Sequence, residues 1–242
     1  MTDITYSRRK FMHVCSASAL LLAGSGRTMA DSPLTDHGRV LLVDSDGKPV
    51  NCDTLPTARD HVFFYPYAST PCFLLKLAEP TVESAELATA DGQSYRWGGG
   101  VGQDRSVVAF SAICAHQLTH PSAKVSFIGY REDAVGFLGK DNKIERRAGV
   151  IQCCSEHSIY DPTQGARVLS GPAPQPLAAI ALQTEEDRVY ATGVYGGALF
   201  ERFFEHFDFR LELEFGDQFR QPVVEQAVVM PLDEYTRQQI RC

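Results

Sequence analysis

Residues 153–161 of the chain read CCSEHSIYD, and a shorter box at residues 114–118 reads CAHQL. Each box places a cysteine and a histidine close together on a stretch short enough to be a single loop. Thiolate and imidazole are metal ligands, and two such loops supply four ligands of mixed softness. The two boxes therefore predict a metal centre.

The candidate metal ligands are Cys114, His116, Cys154 and His157. Zinc would accept two thiolates and two imidazoles in a tetrahedron. A two-iron cluster would instead take both cysteines on one iron and both histidines on the other. Zinc fingers pair ligands of one type locally, whereas each box here mixes one cysteine with one histidine. Spacing favours the cluster but leaves zinc open.

The residues that flank the boxes resemble the Rieske iron–sulfur family. The second box runs into Tyr160-Asp161 and then Gly165, and residues 171–174 read GPAP. These are similar to the aromatic-Asp pair and the proline loop that covers a Rieske cluster. Residues 108–111, a predicted strand, resemble the strand that enters the first Rieske box. The resemblance implies a [2Fe-2S] cluster held by the four candidate ligands.

The resemblance also implies an all-β fold, a Rieske-type antiparallel β sandwich or barrel with a small cluster-binding subdomain. Short aromatic and β-branched runs separated by Gly, Pro, Asn and Asp, such as residues 61–67 and 72–77, agree with many short strands. The expected organisation is a signal peptide (1–30), a lead-in (31–59), a Rieske domain (60–195) with cluster loops 114–119 and 153–161, an insertion (120–150) and a proline loop (171–174), and a C-terminal α/β extension (196–242).

The C-terminal extension contains two different periodicities. Phe200, Phe203, Phe204 and Phe207 are spaced to form one face of a helix. Residues 207–215 then read FDFRLELEF, a strict alternation that predicts a half-buried strand. A short helix is expected within residues 232–241. We expect the extension to pack on the core of the domain, and docking of a partner subunit is the alternative.

The N-terminal residues have the features of an export signal. Residues 7–11 read SRRKF, which matches a twin-arginine signal, and an apolar run follows at residues 12–24. This run is shorter than the roughly 20 residues that a membrane-spanning helix needs. Residues 28–30 (TMA) offer a cleavage site after Ala30. The signal predicts a periplasmic protein, anchored to the membrane only if the signal stays uncleaved.

The second box departs from the family pattern, and two alignments compete. Quinol-oxidising Rieske proteins carry an extra cysteine in each box, joined as a disulfide, but Thr119 and Glu156 stand at those positions. Family spacing of Cys, two residues, then His selects Cys154 as the ligand, whereas an ungapped count back from the Tyr-Asp pair selects Cys153. We predict that Cys154 is the ligand because cluster geometry fixes ligand spacing, with Cys153 as a buried neighbour.

Other polar residues receive weaker assignments. By family resemblance, the hydroxyls of Ser158 and Tyr160 would donate hydrogen bonds to the cluster or to a cysteine sulfur and raise its potential. His120 either lies over the cluster or is a solvated loop histidine. Cys52 and Cys72 are expected to be separate free thiols, with a bridge between them as the alternative.

The net charge and the motifs of the chain argue against two classes of function and favour a third. The formal net charge of -7 argues against a nucleic-acid partner. No Gly-x-Ser-x-Gly loop occurs, so hydrolase chemistry has no support. The stretch from Phe64 to Leu77, the glycine-rich approach to the first box and the export signal are similar to the small subunit of arsenite oxidase-type enzymes, which implies an electron-transfer subunit beside a large molybdopterin subunit.

The predicted function is a relay of single electrons between a catalytic redox partner and a c-type cytochrome or similar carrier. One alternative is the Rieske subunit of a quinol-oxidising cytochrome bc-type complex, against which the missing disulfide counts. The other is a zinc-stabilised binding module. Whether the chain is an enzyme by itself stays open, because the predicted site carries electrons and no catalytic residue is identified.

Overall fold

A computed structural model describes residues 34–139 and 141–242, which belong to one compact unit, Asp31–Cys242. Most regular elements in these residues are strands in mostly antiparallel sheets, which confirms the predicted β fold. No helix among the described residues is long and apolar enough to cross a membrane. The predicted twin-arginine signal at residues 1–30 lies outside the described residues.

Among the described residues the main sheet is eight strands wide, and only the strand pair Thr35–Val43 and Gln226–Val228 is parallel. Residues of its central strand alternate between two cores, with Val107 and Ala109 in one core and Val108 and Phe110 in the other. Both faces of the sheet are therefore covered. The spatial order is β15 (Gln226–Val228), β1 (Thr35–Val43), β14 (Arg188–Tyr195), β13 (Ala179–Glu185), β6 (Val107–Ser111), β3 (Pro71–Lys76), β2 (Asp60–Phe64) and β16 (Met230–Pro231).

A smaller sheet of four strands carries the second box. Its spatial order is β12 (Arg167–Ser170), β11 (Ser158–Asp161), β10 (Val150–Cys153) and β7 (Ile128–Arg131). Two hairpins complete the strands, β4 (Ala85–Ala88) with β5 (Ser94–Trp97), and β8 (Val135–Leu138) with β9 (Ile144–Arg147). The β8–β9 hairpin lies in the long insertion between the boxes. Short 3-10 turns lie at Pro162–Gln164 and Gly216–Gln218.

The C-terminal residues form helix α1 (Ala198–Phe215), strands β15 and β16, and the short helix α2 (Leu232–Tyr235). Residues 207–215 continue α1, so the prediction of a strand there is wrong. In the helix, Phe203, Phe204 and Leu211 enter the core, whereas Phe209 and Leu213 are 75% and 73% exposed. The core contacts of one helical face override the local alternation. The extension packs on the domain's own core, as predicted.

Candidate metal centre

The first box forms a tight loop directly after β6. The Cys114 N–H donates to the Thr119 carbonyl (2.8 Å), and the Leu118 N–H donates to the Cys114 carbonyl (2.9 Å). Leu118, the fourth residue after the cysteine, has a left-handed φ of 58°. Backbone N–H groups of His116 and Gln117 bond to the Cys114 sulfur and help to lower the pKa of its thiol. The loop therefore surrounds one buried sulfur with donors.

The second box repeats this arrangement around Cys153. Cys153 pairs with Ser158 across the β10–β11 hairpin, and His157, the fourth residue after Cys153, has a left-handed φ of 57°. Backbone N–H groups of Ser155 and Glu156, two and three residues after Cys153, bond to its sulfur. Cys153 thus occupies in its loop the position that Cys114 occupies in the first.

The two sulfurs meet in the interior of the protein. Cys114 and Cys153 are 1% and 0% exposed, and both are free thiols. Hydrogen bonding between them lowers the pKa of Cys114 to about 6, and the same contact together with burial raises the pKa of Cys153. The fold therefore brings together two thiols that are far apart in sequence, one from each box.

The Tyr160 hydroxyl lies against this thiol pair. Its oxygen is 3.3 Å from the Cys114 sulfur and accepts the Ala115 N–H (3.2 Å). The ring is fully buried, and burial together with the nearby Cys114 charge raises the pKa of the phenol. Because Tyr160 accepts from Ala115 and keeps its proton, its O–H is free to donate to sulfur. The hydroxyl lies where the family resemblance expects a donor.

Cys154 is placed differently from the prediction. Its sulfur forms a disulfide with Cys242, with the two Cα atoms 5.7 Å apart, an ordinary separation for such a bond. A disulfide sulfur offers no thiolate to a metal. The structure thus contradicts Cys154 as a ligand and places Cys153 beside Cys114. The ungapped count back from Tyr160-Asp161 was the sequence signal that favoured Cys153.

The two predicted histidines have different surroundings. His116 is half-buried, and its Nδ1 is a buried atom that lacks a hydrogen-bond partner among the described residues. His157 is exposed at the left-handed position of its loop. Glu156, between Cys153 and His157, is half-buried. The structure brings Cys114, Cys153 and Tyr160 together. His116 lies on the same loop as Cys114, and His157 lies at the exposed end of the second loop.

Unsatisfied polar atoms test whether a bound group fits. The Ser158 Oγ, like His116 Nδ1, is buried without a partner among the described residues. Leaving such an atom unpaired costs about 1–3 kcal/mol, so the two atoms at the boxes are compatible with a bound group there. No three His, Cys, Asp or Glu side chains of the described residues are grouped as ligands of a single metal ion. A two-iron cluster needs two ligands on each iron, which suits a pair of loops.

The proline loop packs directly on the second box. Gly171 has a φ of 90°, and a Cβ at this position would lie 2.6 Å from both the His157 carbonyl oxygen and the Ser158 Cα. Only glycine allows this close approach. Residues 171–174 therefore lie against the backbone of the second loop, where the family resemblance expects a covering loop.

The other candidate residues are structural. His120 lies neither over the thiols nor in solvent, because its Nδ1 is 2.9 Å from the Leu118 carbonyl and its ring packs edge-on against Phe203 and Phe207. Burial lowers the pKa of His120. Cys52 and Cys72 are buried free thiols, as expected.

Curated proteins similar in sequence to this chain are named as reductase subunits, although no protein-family model matches the chain. The chain is 29% identical over 183 residues to iodate reductase subunit IdrB of Denitromonas iodatirespirans, covering 74% of this chain and 80% of that protein. It is 28% identical over 143 residues to iodate reductase subunit IdrB of Pseudomonas sp. (strain SCT), covering 59% of this chain and 56% of the relative.

A solved structure, the soluble domain of the Rieske protein II (soxF) from Sulfolobus acidocaldarius, aligns with a TM-score of 0.42 and 24% identity. The alignment covers 64% of this chain and 77% of that one. The two curated relatives are Rieske-type subunits. The two curated relatives confirm the Rieske-type resemblance predicted from the two cysteine–histidine boxes, and the chain is similar to iodate reductase subunits named IdrB.

Proposed function

We propose that this chain is a Rieske [2Fe-2S] electron-transfer subunit of a reductase complex. The observation that carries the proposal is the buried pair of free thiols, Cys114 and Cys153, presented by two loops of the same form with the Tyr160 hydroxyl against one sulfur. Two thiols held together but unbridged, each with backbone N–H donors, suit a metal cluster.

The residues assigned to the cluster are Cys114 and Cys153 on one iron and His116 and His157 on the other. When bound, a cluster of this type accepts and releases one electron, and its neutral imidazole ligands favour the reduced state relative to an all-cysteine cluster. The residues are assigned by ligand type and by their place on the loops.

The chain itself tunes such a site in two ways. The backbone N–H groups of each loop and the Tyr160 O–H donate to sulfur, which stabilises negative charge there. Burial of both cysteines keeps water from the sulfurs. At the rim, the exposed His157 gives a redox partner a short approach to the centre.

The fourth ligand is assigned with one departure from family spacing. Three residues separate Cys153 from His157, whereas the family pattern has two, and that pattern would place the ligand at Glu156. The paired variants His157→Ala and Glu156→Gln test the assignment. We expect His157→Ala to lose the histidine-ligated electron paramagnetic resonance (EPR) signal and Glu156→Gln to keep it. The opposite result would move the ligand to Glu156.

The relatives and the predicted export signal support a proposal for the complex and its location. Both curated relatives are named as subunits of an iodate reductase, which supports a large catalytic partner that acts on an oxyanion. The resemblance to arsenite oxidase-type small subunits supports a molybdopterin partner. A c-type cytochrome or similar carrier is the proposed second partner, and the twin-arginine pattern supports export to the periplasm.

Spectroscopy of the purified protein tests the proposal. Protein isolated without oxygen should be brown, contain iron and sulfide in equal amounts, and give after reduction an EPR signal with the low average g value of histidine ligation. Cys52→Ser, which changes a buried free thiol outside the two boxes, should behave like the wild type. Colourless protein with stoichiometric zinc would overturn the proposal in favour of a zinc-stabilised module.

A further inference from the structure

The C-terminal tail, residues 237–242, lies along the start of the insertion. The Arg237 N–H donates to the Ala123 carbonyl (3.1 Å), the Ser126 N–H to the Gln238 carbonyl (2.9 Å), and the Ile240 N–H to the Ser126 carbonyl (2.8 Å). These bonds, together with one parallel bridge between Ser126 and Gln239, hold the tail beside residues 123–126, and we call residues 237–242 the C-terminal strap.

The end of the strap is joined to the second box by the Cys154–Cys242 disulfide, which links positions 88 residues apart. Cys154 directly follows Cys153, the second buried thiol. Its N–H donates to the Phe127 carbonyl (2.7 Å), so the same loop residue is also held by the insertion. A covalent bond and a backbone hydrogen bond therefore fix the residue next to Cys153.

Arg131 connects the strap to the strand that carries Cys153. Its guanidinium donates to the Ile240 carbonyl (2.8 Å) and to the Gln152 Oε1 (3.2 Å), and one of its nitrogens lies 3.7 Å from the Cys154 sulfur. Arg131 and Gln152 are 6% and 4% exposed. Hydrogen bonds from a buried cation are strong and directional, so Arg131 holds the strap in register with β10.

We propose that the disulfide-linked C-terminal strap is the positioning device of the second cluster loop, and that it takes the place of the disulfide between loops that Thr119 and Glu156 exclude. The inference rests on the proposed function for its link to a cluster. The second loop needs such a device because His157 holds a left-handed backbone, which persists only where the surroundings impose it.

Reduction provides a chemical way to release the strap. A dithiol such as dithiothreitol gives two electrons and two protons, the bond between the Cys154 and Cys242 sulfurs breaks, and two thiols form while the reagent becomes a cyclic disulfide. Without the covalent link, the strap keeps only its hydrogen bonds, and the loop opens more often.

The test compares the full-length wild type with Cys242→Ser and with the control Cys52→Ser. Alkylation and mass spectrometry should label Cys154 in the wild type only after reduction. Cys242→Ser should assemble a cluster with the wild-type EPR signal and then lose its visible absorbance roughly tenfold faster, as expected when a cross-link is removed. Limited proteolysis of Cys242→Ser should cut within residues 153–158 and 237–242, which the wild type protects.

The outcomes separate this inference from the proposed function. Equal cluster lifetimes and equal proteolysis in Cys242→Ser and wild type would overturn the proposed positioning role of the strap. Cys154 and Cys242 found as free thiols in the wild type would overturn it as well. Wild-type protein that binds no cluster would overturn the proposed function. Proteolysis needs no cluster, so it then tests the positioning role of the strap by itself. An unchanged cleavage pattern in Cys242→Ser overturns that role, and new cuts support it.

Discussion

The two cysteine loops have the same backbone form but different supports. Each begins at a buried cysteine, surrounds its sulfur with N–H groups two and three residues on, and closes on a left-handed fourth residue, Leu118 in one and His157 in the other. The first loop continues from the central strand of the main sheet, and the second connects two strands of the small sheet.

Apolar packing stabilises the first loop, whereas a disulfide and hydrogen bonds stabilise the second. Leu118 is 5% exposed within the core that includes α1, and His120 packs on the phenyl rings of that helix. His157 is exposed, and its loop is fixed by the disulfide to Cys242 and by Arg131. Because the His157 end of this loop is exposed, covalent and polar bonds hold it where burial does not.

The largest expected effect comes from the adjacent cysteines of the second loop. Cys153→Ser should reduce bound iron to near zero, because its sulfur is the one beside Cys114. Cys154→Ser should assemble the cluster, because it removes only the disulfide. Iron content and the visible spectrum measure both. Iron retained in Cys153→Ser and absent from Cys154→Ser would restore the Cys-x-x-His alignment.

The packing support of the first loop can be removed at Phe203. This side chain is 0% exposed and contacts His120, so Phe203→Ala should lower the free energy of unfolding by about 3–5 kcal/mol, as for other buried phenylalanines. The control Phe209→Ala, on the same helix but 75% exposed, should change it little. Denaturant titration gives both values, and the Cys154–Cys242 disulfide should persist in each. Equal effects of the two variants would show that α1 does not support the loop.

The Tyr160 hydroxyl provides a hydrogen-bond donor beside the Cys114 sulfur. Tyr160→Phe removes a donor 3.3 Å from the Cys114 sulfur. Since a hydrogen bond to a charged group contributes about 1.5–3 kcal/mol and a tenfold change in a one-electron equilibrium is about 59 mV, the reduction potential should fall by roughly 60–130 mV. Redox titration monitored by EPR measures it. The control is Tyr190→Phe, whose ring packs under Arg39. A potential unchanged in Tyr160→Phe would assign the tyrosine to packing alone.

The smallest expected effect is a pH dependence of the packed loop. Burial lowers the pKa of His120, so the unfolded chain takes up a proton at this residue before the folded one does. Its contribution to stability is complete above the unfolded pKa of about 6.5 and is lost as the pH falls below it. His37 and His61 are shifted the same way by burial and provide a background.

Denaturant titration of wild type and His120→Gln at pH 7.5 and 5.5 isolates the contribution of His120 to the pH dependence of the free energy of unfolding. The wild type should lose more stability than the variant on acidification, because burial keeps His120 neutral in the folded protein while the unfolded chain takes up the proton. Equal losses in the two proteins would mean that folding does not lower the pKa of His120.

Local patterns predicted much of this protein. Short strands, the two boxes, the proline loop and the aromatic face of α1 follow from spacing and turn residues, because periodicity reports which side chains share a face. Residues 207–215 show the limit of such patterns. A strict alternation suited a strand, but Leu211 enters the same core as Phe203 and Phe204, and this contact keeps the segment in a helix.

The sequence by itself determined which groups the two loops offer to a metal, namely thiols and imidazoles, because residue type decides what a metal can bind. Only the tertiary structure decided which of two adjacent cysteines lies beside Cys114. Cys153 and Cys154 are neighbours in the chain, but β10 directs one into the core beside Cys114 and leaves the other to pair with Cys242. That choice depends on strand direction and on a partner 88 residues away, which the Cys-x-x-His spacing does not encode.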